Sequence, residues 1–269
     1  MKRISFAAFA AILALGGPLS AFGAQPALPA REDLFIKEVN ALPAEDQVPR
    51  VMAKLKQMNR GFAASEKHSV EGGKVTEFSL SVASGLVQLS PIRALVNLRK
   101  FECIGSATVS AMIDLKPLNG LPLVELKLRH VTINDLRPLT GMPLQVLGLD
   151  ACRVPDLMPL KGMRLQRLSL WSSPVTSLAP LSETPLEWLN CSSTKVHDLT
   201  PLKGAPLAAL YCDNADVSDL APLEGMPLRV LRCDVKAAKH SAKVLQSIKT
   251  LEKINNMPAE DFLKTVKSH

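Results

Sequence analysis

Asp114 and Asn119 close the run Asp-Leu-Lys-Pro-Leu-Asn. That is the spacing with which a phosphotransfer loop places a proton acceptor and a metal-holding amide. No glycine-rich phosphate loop, strand-lysine motif or Asp-Phe-Gly accompanies it, and Asp135, Asp156, Asp198 and Asp219 occupy equivalent slots further along. The Asp is therefore architectural. The five His are scattered, and His197 falls at a variable surface position. H-E-x-x-H, G-x-S-x-G and C-x-x-C do not occur, so the residues point to no enzyme, no metal site and no cofactor. Asn190-Cys191-Ser192 is a formal glycosylation sequon, discounted because Cys191 faces inward in the register derived below.

The remaining chemistry is that of recognition. Trp171, Trp188 and Tyr211 are the only Trp and Tyr of the chain. Arg167, Asn190, Asp213 and Arg232 lie at neighbouring outward positions, with Asp234 next to them. Exposed aromatics beside arginine are the residue types that anchor interfaces. The competing reading is that large rings cover strand surface and pack across strands. The expected ligand is a protein. A carbohydrate or cell-envelope polysaccharide is the alternative, since aromatic faces also stack on sugars.

These residues are positioned by a 21-residue repeat. Five units follow without a gap, at 123–143, 144–164, 165–185, 186–206 and 207–227, and a sixth begins at Leu228. Counting the first Leu as position 1, apolar residues recur at 1, 4, 6, 11, 14, 17 and 20; in the first unit these are Leu123, Leu126, Leu128, Ile133, Leu136, Leu139 and Met142. Fixed-period self-similarity marks a solenoid, and the spacing resembles the leucine-rich repeat. Positions 3 to 7 alternate, as in a half-buried strand. Leu126 and Leu128 then point inward, while Glu125, Lys127 and Arg129 point out. The rest of each unit reads Asp-Leu-x-Pro-Leu-x-Gly. Asp135 can accept backbone N–H groups as a cap, Pro138 suits a first turn and Gly141 a left-handed exit. About eight residues remain for the return path, which favours a 3₁₀ turn on the convex side over a full helix.

Two looser units precede these. Unit starts at 75, 98, 123, 144, 165, 186, 207 and 228 imply eight parallel strands, with Gly105–Ser110 as an inserted loop. Position 9, where a leucine-rich repeat carries an Asn ladder, holds Val131, Cys152, Ser173, Thr194 and Ala215. The ladder is absent; Ser173 and Thr194 can each replace one of its bonds, whereas Val131 and Ala215 cannot. Four of the five Cys (103, 191, 212 and 233) fall at inward position 6, and Cys152 falls at position 9. Core packing as small hydrophobes is expected, with no disulfide.

Residues 1–23 read as a secretory signal: Lys2 and Arg3, an apolar stretch Ile4 to Leu15, then Pro18 and the small-residue site Ala21-Phe22-Gly23. An exported chain, periplasmic or secreted, with no integral membrane segment after cleavage is the expectation. Residues 24–74 are expected to form an N-terminal helical cap. Leu34, Val39 and Leu42 would line one helix, and Val48, Val51, Met52, Leu55 and Met58 a second, with Pro43 and Pro49 at the break. The repeats span 75–234. Residues 235–269 read as a second helical cap, since solenoids need covered ends. The formal charge is +7, and most of the excess lies in this last segment. It forms no dense basic run, so nucleic acid is not an expected partner.

The chain resembles a group of bacterial leucine-rich-repeat proteins whose unit is P-L-x-x-L-x-C-x-x-T-x-V-x-D-L-x-P-L-x-G. Leu186 to Gly204 matches it nearly throughout, and the flanks Ala41–Phe62 and Val244–Lys264 match as well. In that group such segments are often appended to serine/threonine protein kinases; no kinase domain is present here. The resemblance implies an α/β horseshoe with parallel strands on the concave face, short turns on the convex face, and protein binding.

Overall fold

The computed structural model describes residues 31–86, 88–107, 111–154 and 156–267. The proposed signal segment lies outside the described residues. Two helices come first among the described residues, α1 (Arg31–Asn40) and α2 (Ala44–Met58). A hairpin follows, β1 (Ala63–Glu71) and β2 (Lys74–Ser84), turning on Gly72 and Gly73, which are both left-handed (φ 55° and 71°). From β2 onward each repeat adds one strand. These are β3 (Lys100–Ile104), β5 (Glu125–Arg129), β7 (Val146–Asp150), β8 (Arg167–Ser169), β9 (Trp188–Asn190), β10 (Ala209–Tyr211) and β11 (Val230–Arg232). With β2 they make the eight expected parallel strands, in sequence order within one sheet. Two short strands, β4 (Ala111–Ile113) and β6 (Val131–Ile133), pair separately beside it. The chain ends with α3 (Val235–His240), α4 (Ala242–Ser247), β12 (Lys253–Ile254), β13 (Met257–Pro258) and α5 (Ala259–Lys267).

The register is that of the repeat. Leu126, Leu147, Leu168, Leu189, Leu210 and Leu231 align on consecutive strands, and all are buried. One core runs the length of the molecule, from Phe35 to Val266. After each main-sheet strand from β5 to β10, position 8 adopts a left-handed conformation without glycine. His130, Ala151, Ser172, Ser193 and Asn214 all have φ between 51° and 57°. This sharp corner turns the chain off the concave face.

The convex side is built of three-residue 3₁₀ turns, with Pro in the first turn of each, as the residue pattern implies. The repeating Asp accepts the N–H two residues on: Asp135 from Arg137 (2.8 Å), Asp156 from Met158 (2.9 Å), Asp198 from Thr200 (2.8 Å) and Asp219 from Ala221 (2.8 Å). This is an Asx turn placed one residue ahead of the N-cap, rather than a cap in the strict sense. Gly141, Gly162, Gly204 and Gly225 then exit with φ of 74–80°. The third unit has Glu183 in that slot, and its turn differs: Ser182 stays right-handed (ψ −25°), where its counterparts in the other four units lie near 125–130°. A side chain at φ > 0 is unfavourable, so the backbone takes another route there.

Both ends differ from the all-helical caps expected. Residues 63–71 form an edge strand, and β12 and β13 extend the sheet at the other end, giving eleven strands. Pro49 lies inside α2, and Pro43 is its N-cap. Leu34 is exposed, while its neighbour Phe35 joins Val39 in the core. Among the described residues no helix is long and apolar enough to cross a membrane.

Candidate functional site

The concave face is a grid of outward side chains from positions 3, 5 and 7. Neighbouring strands lie about 4.8 Å apart and alternate residues about 6.7 Å. Arg167, Trp188 and Ala209 lie side by side in the position-3 row. Asn190, Tyr211 and Arg232 do so in the position-5 row. Trp188 and Tyr211 are therefore diagonal neighbours. Their ring centroids are 5.5 Å apart with a 46° interplanar angle, within the range of favourable tilted aromatic pairs. The Arg167 guanidinium lies 5.1 Å from the Trp188 ring centroid, which places the cation against the indole face.

Asp213 fixes the far border. It pairs with Arg232 (2.9 Å) and accepts the Ser192 hydroxyl (2.7 Å). The Asn190 carboxamide oxygen accepts the Ser192 N–H (3.0 Å). The structure thus brings together Arg167, Trp188, Asn190, Tyr211, Asp213 and Arg232. Trp171, 41% exposed, sits at position 7 in the row of Ser192 and Asp213, one strand from Asn190; it borders the cluster and stands two rows from Trp188.

The other half of the concave face is ionic. Lys100 pairs with Glu77 at 2.5 Å, Lys127 with Glu125, and Arg129 with Asp150 at 3.3 Å. The Lys100 ammonium holds the Glu77 carboxyl below its ordinary range, and Glu77 raises Lys100 in return. Between the halves lies a cleft of about 470 Å³. Gly148 is its floor, and Lys127, Arg129, Asp150, Arg167, Ser169 and Trp188 wall it. Sequence reasoning missed this feature. Its signal was present, because Gly148 is the one glycine at an outward strand position in the five units.

The cysteines sit beneath this face. All five are buried free thiols, and no group of three or more His, Cys, Asp or Glu could hold a metal among the described residues. Burial pushes Cys103, Cys191 and Cys233 up to about 12 and Cys152 to about 11. Cys212 is raised as well, first by burial and then by the thiols on either side of it. Thiols held protonated in this way are poor nucleophiles and poor metal ligands. At position 9, Ser173 donates to the Leu149 carbonyl (2.5 Å) and Thr194 to that of Cys191 (2.7 Å). Cys152 Sγ–H makes the equivalent contact to the Leu128 carbonyl (3.4 Å), so three position-9 side chains stand in for the missing Asn ladder.

Comparison with known proteins places the architecture. Internalin C2 of Listeria monocytogenes is similar over 66% of this chain and 79% of its own, at 27% identity and a TM-score of 0.56. The fold is a leucine-rich-repeat solenoid. Another Listeria monocytogenes internalin covers 81% of this chain and 78% of its own at 20% identity and a TM-score of 0.46. A leucine-rich-repeat protein of Leptospira interrogans covers 65% of this chain and 54% of its own at 15% identity and a TM-score of 0.48. No protein-family model and no curated protein matches the sequence. Solenoids of this kind offer an extended concave surface and generally serve in protein–protein interaction.

Proposed function

We propose that this chain is an exported, non-enzymatic protein-binding module that holds its partner on the concave face across strands β8 to β11. The observation that carries this reading is the cluster of Arg167, Trp188 and Tyr211. It is a half-exposed aromatic pair with a guanidinium laid against one ring, mounted on strands whose opposite faces are wholly core. Rigid rings and arginine supply the large, preorganised contacts that dominate interfaces. Asn190, Asp213 and Arg232 supply a polar border, and Trp171 is proposed as an outlying contact at the rim.

The polysaccharide reading fits less well. A sugar ring needs an open aromatic face, and Arg167 already covers one face of the Trp188 indole. Nucleic acid fits poorly too, because the charges of the concave face alternate in sign and give no continuous basic track. The paired substitution Trp188→Ala with Tyr211→Ala tests the proposal. Neither ring is in the core, so the fold should persist. Capture of partners from an envelope extract by the native chain, and loss of the same partners with the double variant, is the expected result. Each ring should contribute on the order of 1–3 kcal/mol. Unchanged capture would move the contact elsewhere, to the basic C-terminal cap first.

A further inference from the structure

The cleft over Gly148 has a charge pattern of its own. Gly148 is buried in the floor of the grid, with no side chain to fill its square. A Cβ there would meet Lys127 Cγ at 3.3 Å, so Lys127 already leans over the gap from one side. On the other side stand Arg167 and Ser169, in register with Val146 and Gly148.

Each carboxylate lining the cleft is engaged. Glu102 accepts the Ser79 hydroxyl (3.1 Å), Glu125 pairs with Lys127, and Asp150 holds both Arg129 and the Ser169 hydroxyl. The exception among the cations is Arg167. Its recorded contact is the Trp188 ring, and no carboxylate pairs with it among the described residues. Stacking on an indole fixes the plane of a guanidinium while leaving its N–H fork free, and that fork matches a carboxylate bidentately.

We infer that the Gly148 cleft is a carboxylate pocket, and that an Asp or Glu side chain of the protein partner enters it and is received by Arg167. The inference rests on the concave-face reading above and names the chemistry of one contact within it. Gly148 provides the depth, because any larger residue there would raise the floor to the level of Ser169. Trp188 holds the receiving guanidinium in plane.

Poly-L-glutamate is the probe, with neutral poly-L-glutamine and polygalacturonate as comparisons. Trp171→Phe leaves Trp188 as the one indole, so its emission reports the site directly. Poly-L-glutamate should change that emission saturably, and poly-L-glutamine should not. Arg167→Gln should weaken binding at least tenfold. Arg167→Lys, which keeps the charge and loses the fork, should recover only part of it. Gly148→Leu should weaken it as much as Arg167→Gln; Arg167 is surface-exposed, so its variants carry the test if the leucine disturbs the fold. Lys236→Gln with Lys239→Gln removes twice the charge from the cap and should leave the affinity unchanged, which separates the pocket from general attraction. Equal affinity for poly-L-glutamate in the native chain, Arg167→Gln and Gly148→Leu would overturn the inference, as would the absence of saturable binding. A response to polygalacturonate alone would overturn the protein source of the carboxylate. Partner capture lost in the Trp188/Tyr211 double variant, together with unaltered poly-L-glutamate binding in Arg167→Gln, would sink the pocket and leave the concave-face reading standing.

Discussion

The left-handed corner at position 8 predicts that one substitution, alanine to glycine, has opposite effects at two sites. Ala151 sits at φ 51°, where an L side chain costs about 1–2 kcal/mol relative to a right-handed conformation. Ala209 lies in strand β10 and carries no such strain. In both variants the more flexible unfolded chain costs about 0.5–1 kcal/mol. For Ala151→Gly the released strain exceeds that cost, and a net gain of about 0.5–1 kcal/mol is expected. For Ala209→Gly nothing offsets it, and the lost methyl adds to it, so a loss of about 1–1.5 kcal/mol is expected. For a chain of this length each kcal/mol moves the melting temperature by about 2–4 °C. The midpoints should therefore shift in opposite directions and stand several degrees apart. Urea midpoints should show the same order. A fall in both melting temperatures of similar size would mean that the backbone at Ala151 is not strained and that the corner geometry is wrong.

Other consequences follow from burial and charge. Leu189→Asp places an unpaired carboxylate in the core, between Leu168 and Leu210, and should destabilise by more than about 4 kcal/mol. Glu187→Ala is exposed and should stay within about 0.5 kcal/mol; similar melting temperatures for the two would refute the register. The cysteines predict alkaline weakness. Below about pH 9 their thiols are protonated in both states, so the stability is fully present. As pH rises from 9 towards 12 the unfolded thiols ionise while Cys191 and Cys233 remain protonated, and stability is lost at up to about 1.4 kcal/mol per pH unit per thiol. Replacing Cys191 by Val should flatten that decline between pH 9 and 10.5, and an unchanged slope would contradict the assignment. If the first 23 residues are a cleaved signal, intact-mass measurement of envelope protein gives a chain beginning at Ala24; a mass that retains Met1 would make it an anchored protein.

The core was readable because every unit presents the same apolar positions, so a single register assigned Leu126, Leu147, Leu168 and their counterparts together. The hairpin was not. Strand β1 reads Ala-Ala-Ser-Glu-Lys-His-Ser-Val-Glu and is partly or fully exposed along its whole length. An edge strand with no buried face carries no alternation to detect, and Gly72-Gly73 was its one turn signal. Strands β12 and β13 are two residues each, below any periodicity. The corner at position 8 escaped for a different reason. Of its five residues only His130 and Asn214 are types that favour a left-handed conformation, and the shared geometry is imposed by the flanking strand ladder and the 3₁₀ turn. At the site, the parity of positions placed the rings outward correctly. Parity alone did not show that Trp188 and Tyr211 meet on a diagonal while Trp171 lies in a different row, beside Ser192.

The concave face divides where its strands change character. From β2 to β7 most outward charges are satisfied by one another, Lys100 with Glu77, Lys127 with Glu125 and Arg129 with Asp150, while Glu102 accepts the Ser79 hydroxyl. A partner that covered them would have to desolvate closed pairs and offer them nothing new, which gives little or negative affinity. From β8 to β11 the outward residues include the rings, an amide and Arg167, which has no carboxylate partner among the described residues, and one closed ion pair, Arg232 with Asp213, at the far border. Covering these removes apolar area from water and completes an unfilled hydrogen-bonding group. Energetics alone therefore favour contact on the second half and disfavour it on the first. Gly148 lies on β7, at the seam, where a partner resting on Trp188 and Tyr211 first meets a charged wall. A carboxylate arriving there gains the free Arg167 without breaking any existing pair. The repeat makes such a seam easy to build. Outward positions vary from unit to unit while Leu147, Leu168 and Leu189 beneath them remain the same, so recognition is written on one face of the strands and stability on the other.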